Sequence, residues 1–208
     1  MIIAVSGGSG VGKSTLSRKL AEVLPNSLLI NGDIFMHGRS KEFEEEILKN
    51  IGRKKDSNIF SYNYYLESFE NTKIWVKTIE KFVISDIEET IKQESKDKEY
   101  VIVDWVFLPL CEWFENCDTS ICVTSNYDTR LVRLTKRLQD KSIYNEGDRS
   151  FWPYKPGIIE KRLDYTTLNE RGYVSKYYIS NDGDIKTLDE NIEKLKTKII
   201  EDNKKRRK

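Results

Sequence analysis

Gly7-Gly8-Ser9-Gly10-Val11-Gly12-Lys13-Ser14 fits the pattern G-x-x-x-x-G-K-[ST], with Gly7, Gly12, Lys13 and Ser14 at the required places. Glycines at this density let successive backbone N–H groups turn inward and cradle phosphate oxygens. Lys13 is spaced to reach the β- and γ-phosphates of ATP, and the Ser14 hydroxyl to ligate Mg²⁺. The expected nucleotide-binding residues of the loop are Gly8, Gly10, Val11, Gly12, Lys13, Ser14 and Thr15. Two carboxylates extend the pattern. Asp104 follows the β-branched run Tyr100-Val-Ile-Val103 and has the form of an acid that supports the metal; an acidic strand terminus is the plainer alternative. Asp33 closes the apolar run that begins at Ser27. It is placed either to accept the proton of an attacking hydroxyl or to cap a turn or helix.

Phosphoryl transfer also needs positive charge and the exclusion of water. Arg133 and Arg137 stand four apart on one helix face, just before residues 141–160, which Gly147, Pro153, Pro156 and Gly157 punctuate. That stretch reads as a lid over the phosphates, with Arg133, Arg137 and Arg149 lending charge and Lys155, Lys161 and Arg162 following; a solvated basic helix is the alternative. Phe60, Tyr62, Tyr64 and Tyr65 could wall an acceptor pocket near Asp33, or simply pack.

These residues must be carried by elements, and the hydrophobic pattern supplies them. Short apolar runs at Ile2–Val5, Ser27–Ile30, Tyr100–Val103, Thr119–Val123 and Lys176–Ser180 read as strands. Helical spacing follows at Leu16, Leu20, Val23 and Leu24, again from Trp75 to Ile91, at Leu131, Leu134 and Leu138, and from Leu188 to Ile199. Strands alternating with helices predict an open parallel α/β sheet in a single domain spanning 1–208. In such sheets ligands bind beyond the carboxyl ends of the strands. The residues that follow the runs all suit that edge: the glycine loop, Asn31-Gly32-Asp33, Asp104-Trp105, Thr124-Ser125-Asn126 and Asn181-Asp182-Gly183.

Composition removes other classes. In 208 residues, 35 Lys and Arg balance 34 Asp and Glu, which argues against gripping nucleic acid. No apolar stretch is long enough to span a bilayer, and the N-terminal run collapses into glycines rather than forming a leader. Cys111, Cys117 and Cys122 form no C-x-x-C pair and suit reduced thiols in the cytoplasm. A single histidine, His37, removes His-rich metal sites and most Ser-His or Cys-His schemes. No N-K-x-D segment reads a guanine, and no L-S-G-G-Q-like signature is present.

With these residues in place, the sequence resembles the dephospho-CoA kinase family and its relatives among the nucleoside kinases. The opening Ile2-to-Thr15 segment, Val101-to-Asp104 with Leu108-Pro109-Leu110, Arg130-Leu-Val-Arg133-Leu-Thr-Lys-Arg137, and Tyr178-Ile-Ser-Asn181-Asp182-Gly183 carry the likeness. The resemblance implies a three-layer P-loop NTPase fold: a parallel five-stranded sheet, helices on both faces and a small helical lid. It implies adenine-side roles for Asn181 and Gly183, and an acceptor-binding region at about residues 36–75. The family's Asp-x-Asp is here Asn31-Gly32-Asp33, and its His-Pro pair is His37-Gly38. Asp33-Ile34-Phe35 is instead similar to the Asp-x-Phe of uridine and nicotinamide riboside kinases.

The expectation is a cytoplasmic, ATP- and Mg²⁺-dependent small-molecule kinase, a monomer or weak homo-oligomer with no nucleic-acid or membrane partner. Its catalytic residues are Asp33, Lys13 and Arg137, and its metal is held by Ser14 and Asp104. Its acceptor is a small nucleotide-like metabolite: dephospho-CoA first, a nucleoside such as uridine, cytidine or nicotinamide riboside second. A regulator that binds nucleotide without transferring phosphate is the rival from another class; Asp33 and the lid arginines speak against it.

Overall fold

A computed structural model describes residues 1–39, 44–52, 68–141 and 158–207. Five parallel strands form one sheet in the order β2-β3-β1-β4-β5: β1 (Ile2–Ser6), β2 (Ser27–Asn31), β3 (Tyr100–Asp104), β4 (Thr119–Thr124) and β5 (Tyr177–Ser180). The helices are α1 (Lys13–Val23), α2 (Gly32–Arg39), α3 (Glu44–Asn50), α4 (Phe69–Glu94), α5 (Tyr127–Lys141), α6 (Ile158–Tyr165) and α7 (Ile185–Arg206).

The alternation of side chains along the strands divides the core in two. Ala4, Val101 and Val103 face a cluster with Trp75, Val76, Ile79, Val83 and Ile87 of α4. Ile3, Val5, Ile102, Ile121 and Val123 face the other way, onto Leu16 and Leu20 of α1 and Leu188, Ile192, Leu195 and Ile199 of α7. Helices thus cover both faces, and β3 is buried at every position because it lies between β1 and β2 beneath both layers.

Caps set where the helices begin. The Ser68 hydroxyl accepts from Asn71 N–H at 3.0 Å and starts α4; Asp184 accepts from Thr187 N–H at 2.8 Å and starts α7. By contrast α1 opens on Gly12, at φ 91°, with no side-chain cap at all.

The apolar runs become strands as expected, β1, β2, β3 and β4 each one residue longer than the run that signalled them and β5 one residue shorter. The stripe from Trp75 to Ile91 sits in a helix extended at both ends. Helix α5 reaches Lys141, and α6 occupies the end of the expected lid. The rest of that lid, with Arg149 and Lys155, and the aromatic cluster Phe60, Tyr62, Tyr64 and Tyr65 lie outside the described residues. Among the described residues no helix is long and apolar enough to cross a membrane. Cys111 and Cys122 are buried and Cys117 half-buried, all unpaired; burial pushes the Cys117 thiol up to about 12 and the Cys122 thiol to about 11, so they serve as apolar packing.

Candidate active site

The loop between β1 and α1 turns through glycines in the left-handed region, Gly10 at φ 83° and Gly12 at φ 91°. A Cβ on Gly12 would collide with the Asn181 side-chain amide as well. The N–H groups of Gly10, Gly12, Lys13 and Ser14 donate to nothing among the described residues, and α1 has no side-chain cap to take them. Four unpaired donors at a helix N-terminus form a concave, positively polarised nest suited to phosphate oxygens.

Lys13 and Asp104 meet at the mouth of this nest. Lys13 Nζ lies 3.4 Å from Asp104 Oδ1, and the carboxylate is only 3% exposed. That oxygen is buried and makes no hydrogen bond among the described residues, so charge attraction to Lys13 leaves its lone pairs available. A buried carboxylate oxygen with a spare lone pair fits Mg²⁺, and so does the Ser14 hydroxyl, exposed at the start of α1 and without a partner among the described residues. Among the described residues no group of three or more His, Cys, Asp or Glu could hold a metal unaided.

Asp33 stands at the next strand end. Asn31 pairs in register with Asp104, and its Oδ1 accepts the Asp33 N–H at 3.0 Å. Asn31, which stands where the dephospho-CoA kinase pattern has an acid, thus acts as the cap that turns β2 into α2. Asp33 occupies the first turn of α2, half-buried, its carboxylate without a partner among the described residues. Gly32 lets the turn lie against Trp105: a Cβ there would sit 2.8 Å from the indole. Trp105 packs edge-on against Phe107, and Phe107 against Trp75 of α4.

The cations behave less uniformly. Arg133 donates to the carbonyls of Gly10 and Val11, both at 3.3 Å, and to the Asn181 carbonyl at 2.9 Å, so it supports the loop through its backbone. Asn181 is buried, and its Nδ2 donates to the Val11 carbonyl at 2.7 Å, a second loop support from the turn after β5. Gly183 lies exposed in that turn, against Thr187. Arg137, one turn beyond Arg133, is exposed and makes no hydrogen bond or ion pair among the described residues; the structure does not bring it to the loop.

Three supports escaped the sequence reading: Arg130, Thr166 and Thr167, all buried. For Arg130 a signal existed. It lies four residues before Leu134 on the core face of α5, and an arginine on a core face must be paired. The threonines carry no comparable mark.

Residues 3–151 match the family model described as AAA domain. A uridine kinase from Ligilactobacillus salivarius (strain UCC118) is 30% identical over 146 residues, an alignment covering 66% of this chain and 66% of that protein's length. Among solved structures, TT1252 from Thermus thermophilus superposes with a TM-score of 0.60 at 16% identity, over 95% of this chain and 97% of that one. A shikimate kinase from Bacteroides thetaiotaomicron does so with a TM-score of 0.57 at 15% identity, over 96% and 98%. These two likenesses concern the fold.

Proposed function

The chain belongs to the AAA domain family, and we propose that it is a small-molecule kinase that moves the γ-phosphoryl group of ATP to a ribose hydroxyl of a nucleoside-type acceptor. One observation carries the reading. Lys13 and Asp104 meet at 3.4 Å beside four loop N–H groups that have no partner among the described residues, and Asp33 stands at the adjoining strand end.

The nest of Gly10, Gly12, Lys13 and Ser14 binds the phosphates of ATP, and the Lys13 ammonium neutralises charge between them. The Ser14 hydroxyl and Asp104 would hold Mg²⁺, which supplies neutralisation of the charge that builds on the phosphate oxygens when bound. The acceptor hydroxyl attacks the γ-phosphorus and passes its proton to Asp33. An O–P bond forms as the bond to the β,γ-bridging oxygen breaks, and ADP leaves with the electron pair. No covalent enzyme intermediate is required; positioning and preset charge carry the rate. Arg137, exposed on α5, is the further cation that would offset charge on the phosphates.

The resemblance to dephospho-CoA kinases favours dephospho-CoA, but both departures, Asn31 and Gly38, fall on the acceptor side. The Asp33-Ile34-Phe35 triplet and the uridine kinase relative both favour a nucleoside. The test is an ADP-release assay with uridine, cytidine, nicotinamide riboside, shikimate and dephospho-CoA in parallel. Saturable stimulation by a nucleoside is expected. Stimulation by dephospho-CoA or shikimate alone overturns the acceptor, and ATP binding without stimulation by any compound overturns the kinase.

A further inference from the structure

Ser9, third in the glycine loop, is held by all three of its polar groups, and every partner lies on an element flanking the expected lid. Its N–H donates to Thr166 Oγ1 at 2.8 Å, its carbonyl accepts from Arg130 Nε at 2.9 Å, and its hydroxyl accepts from Arg162 Nε at 3.2 Å. Thr166 and Thr167 follow directly on α6, and their hydroxyls donate back to the carbonyls of Arg162 and Leu163, each at 2.5 Å. A hydroxyl has one proton. With it spent on the helix, each oxygen can only accept from outside. Thr166 accepts from the loop, and Thr167 accepts from Arg130 Nη1 at 2.6 Å. Arg130 Nη2 donates to the Leu163 carbonyl at 2.8 Å, which closes the network. Both threonines are buried, at 1% and 6% exposure, where an unmet donor is costly.

The consequence concerns which donors remain for phosphate. Ser9 N–H points to Thr166, whereas Gly10, Gly12, Lys13 and Ser14 have no partner among the described residues. We propose that Thr166 and Thr167 are positioning residues for the nucleotide phosphates, acting through Ser9 and Arg130. They draw the third N–H of the loop out of the cradle and fix the backbone from which Gly10 and the donors after it project. Room for anything bulkier is absent, since a Cβ on Gly8 would lie 2.5 Å from Arg130 Nη2. The proposal rests on the kinase reading only in taking ATP as the ligand.

The test measures ATP affinity by calorimetry, without turnover, for Thr166→Val and Thr166→Ser, with thermal melts of both. Valine keeps the shape and removes the acceptor; serine keeps the acceptor. The expected result is about tenfold weaker ATP binding for Thr166→Val, in line with a donor left unmet, and near-native affinity for Thr166→Ser. Where turnover is measurable, KM for ATP rises in Thr166→Val while KM for the acceptor stays. Unchanged ATP affinity in a folded Thr166→Val protein overturns the proposal. So does equal weakening in both variants, which would make Thr166 a matter of volume alone. If Thr166→Val fails to fold, Ser9→Pro, which deletes the same N–H, is read by the same titration against Ser9→Ala, which keeps it; equal affinities overturn the proposal. Failure of the kinase reading leaves the ATP titrations intact and shows only in the acceptor assay.

Discussion

The two halves of the site are built by different forces. On the nucleotide side, Ser9, Gly10 and Val11 are held through directed bonds from Arg130, Arg133, Arg162, Thr166 and Asn181, drawn from three separate parts of the chain. On the acceptor side, among the described residues, the turn that carries Asp33 is held by a hydrogen bond from its own N–H to Asn31 and by the apolar contact of Gly32 with Trp105. Hydrogen bonds fix direction, and the nucleotide side must present several N–H groups to one tetrahedral anion. Apolar packing fixes shape and tolerates substitution, so it leaves room for different acceptors beside a constant phosphate site.

The largest effect that separates the halves is at Asp33. Replacing the base should reduce turnover and spare the nest: Asp33→Asn is expected to lower kcat by about 10²–10⁴-fold while ATP affinity, read by calorimetry, stays within the error of wild type. Near-native turnover in the variant would remove Asp33 from the reaction and leave the acceptor side without a chemical role.

A pair of glycines tests the difference in kind. Gly12→Ala strains a left-handed backbone and meets the Asn181 amide, whereas Gly32→Ala meets a flat indole. The first displaces the nest itself and should cut kcat/KM for ATP by about 10²-fold, the usual result of an ångström's misplacement. The second pushes α2 from Trp105 and should raise KM for the acceptor about tenfold, a cost typical of overpacking, with KM for ATP unmoved. If both raised the same KM, the two halves would be one mechanical unit and the contrast would fail.

The same contrast explains what could be read from the residues in order. Glycines at fixed intervals before a lysine follow from the geometry of a loop that must wrap an anion, so the nest, Lys13 and Ser14 were legible, and the strand-end rule located Asp33 and Asp104. The sheet followed from five apolar runs: those of β1, β3 and β4 are largely buried, while β2 and β5, at the two edges, are only partly covered. Thr166 and Thr167 were not legible, because a threonine that bonds across 157 residues of sequence looks like any other threonine. Asn31 read as a loss of acid, although its side chain caps α2. Asn181, given an adenine-side role by the resemblance, also donates its amide to the Val11 carbonyl, a bond that the order of residues does not show. In each case the partner is fixed by tertiary contact, which spacing along the chain does not encode.

The smallest expected effect lies on the nucleotide side and is read by acid. The Asp182 carboxylate accepts from Ser125 hydroxyl at 2.7 Å, Asn126 N–H at 2.6 Å and Ser180 hydroxyl at 2.9 Å, joining the ends of β4 and β5 beside the turn that carries Asn181. These bonds, that from Ser125 first, hold its carboxyl below the usual range. A carboxyl depressed in the folded state contributes stability above its unfolded value and loses it as pH falls through the folded one. Asp182→Ala should therefore melt below wild type at neutral pH, and the gap should close as pH drops below about 4, near the unfolded aspartate value. Asp184 and Asp202, also depressed, titrate alike in both proteins and cancel from the difference. The carboxylate is largely exposed, so water screens it and the gap is small. A gap that holds constant down to about pH 3 would mean that Asp182 acts by shape rather than charge, and that the directed bonds of this half end at Asn181.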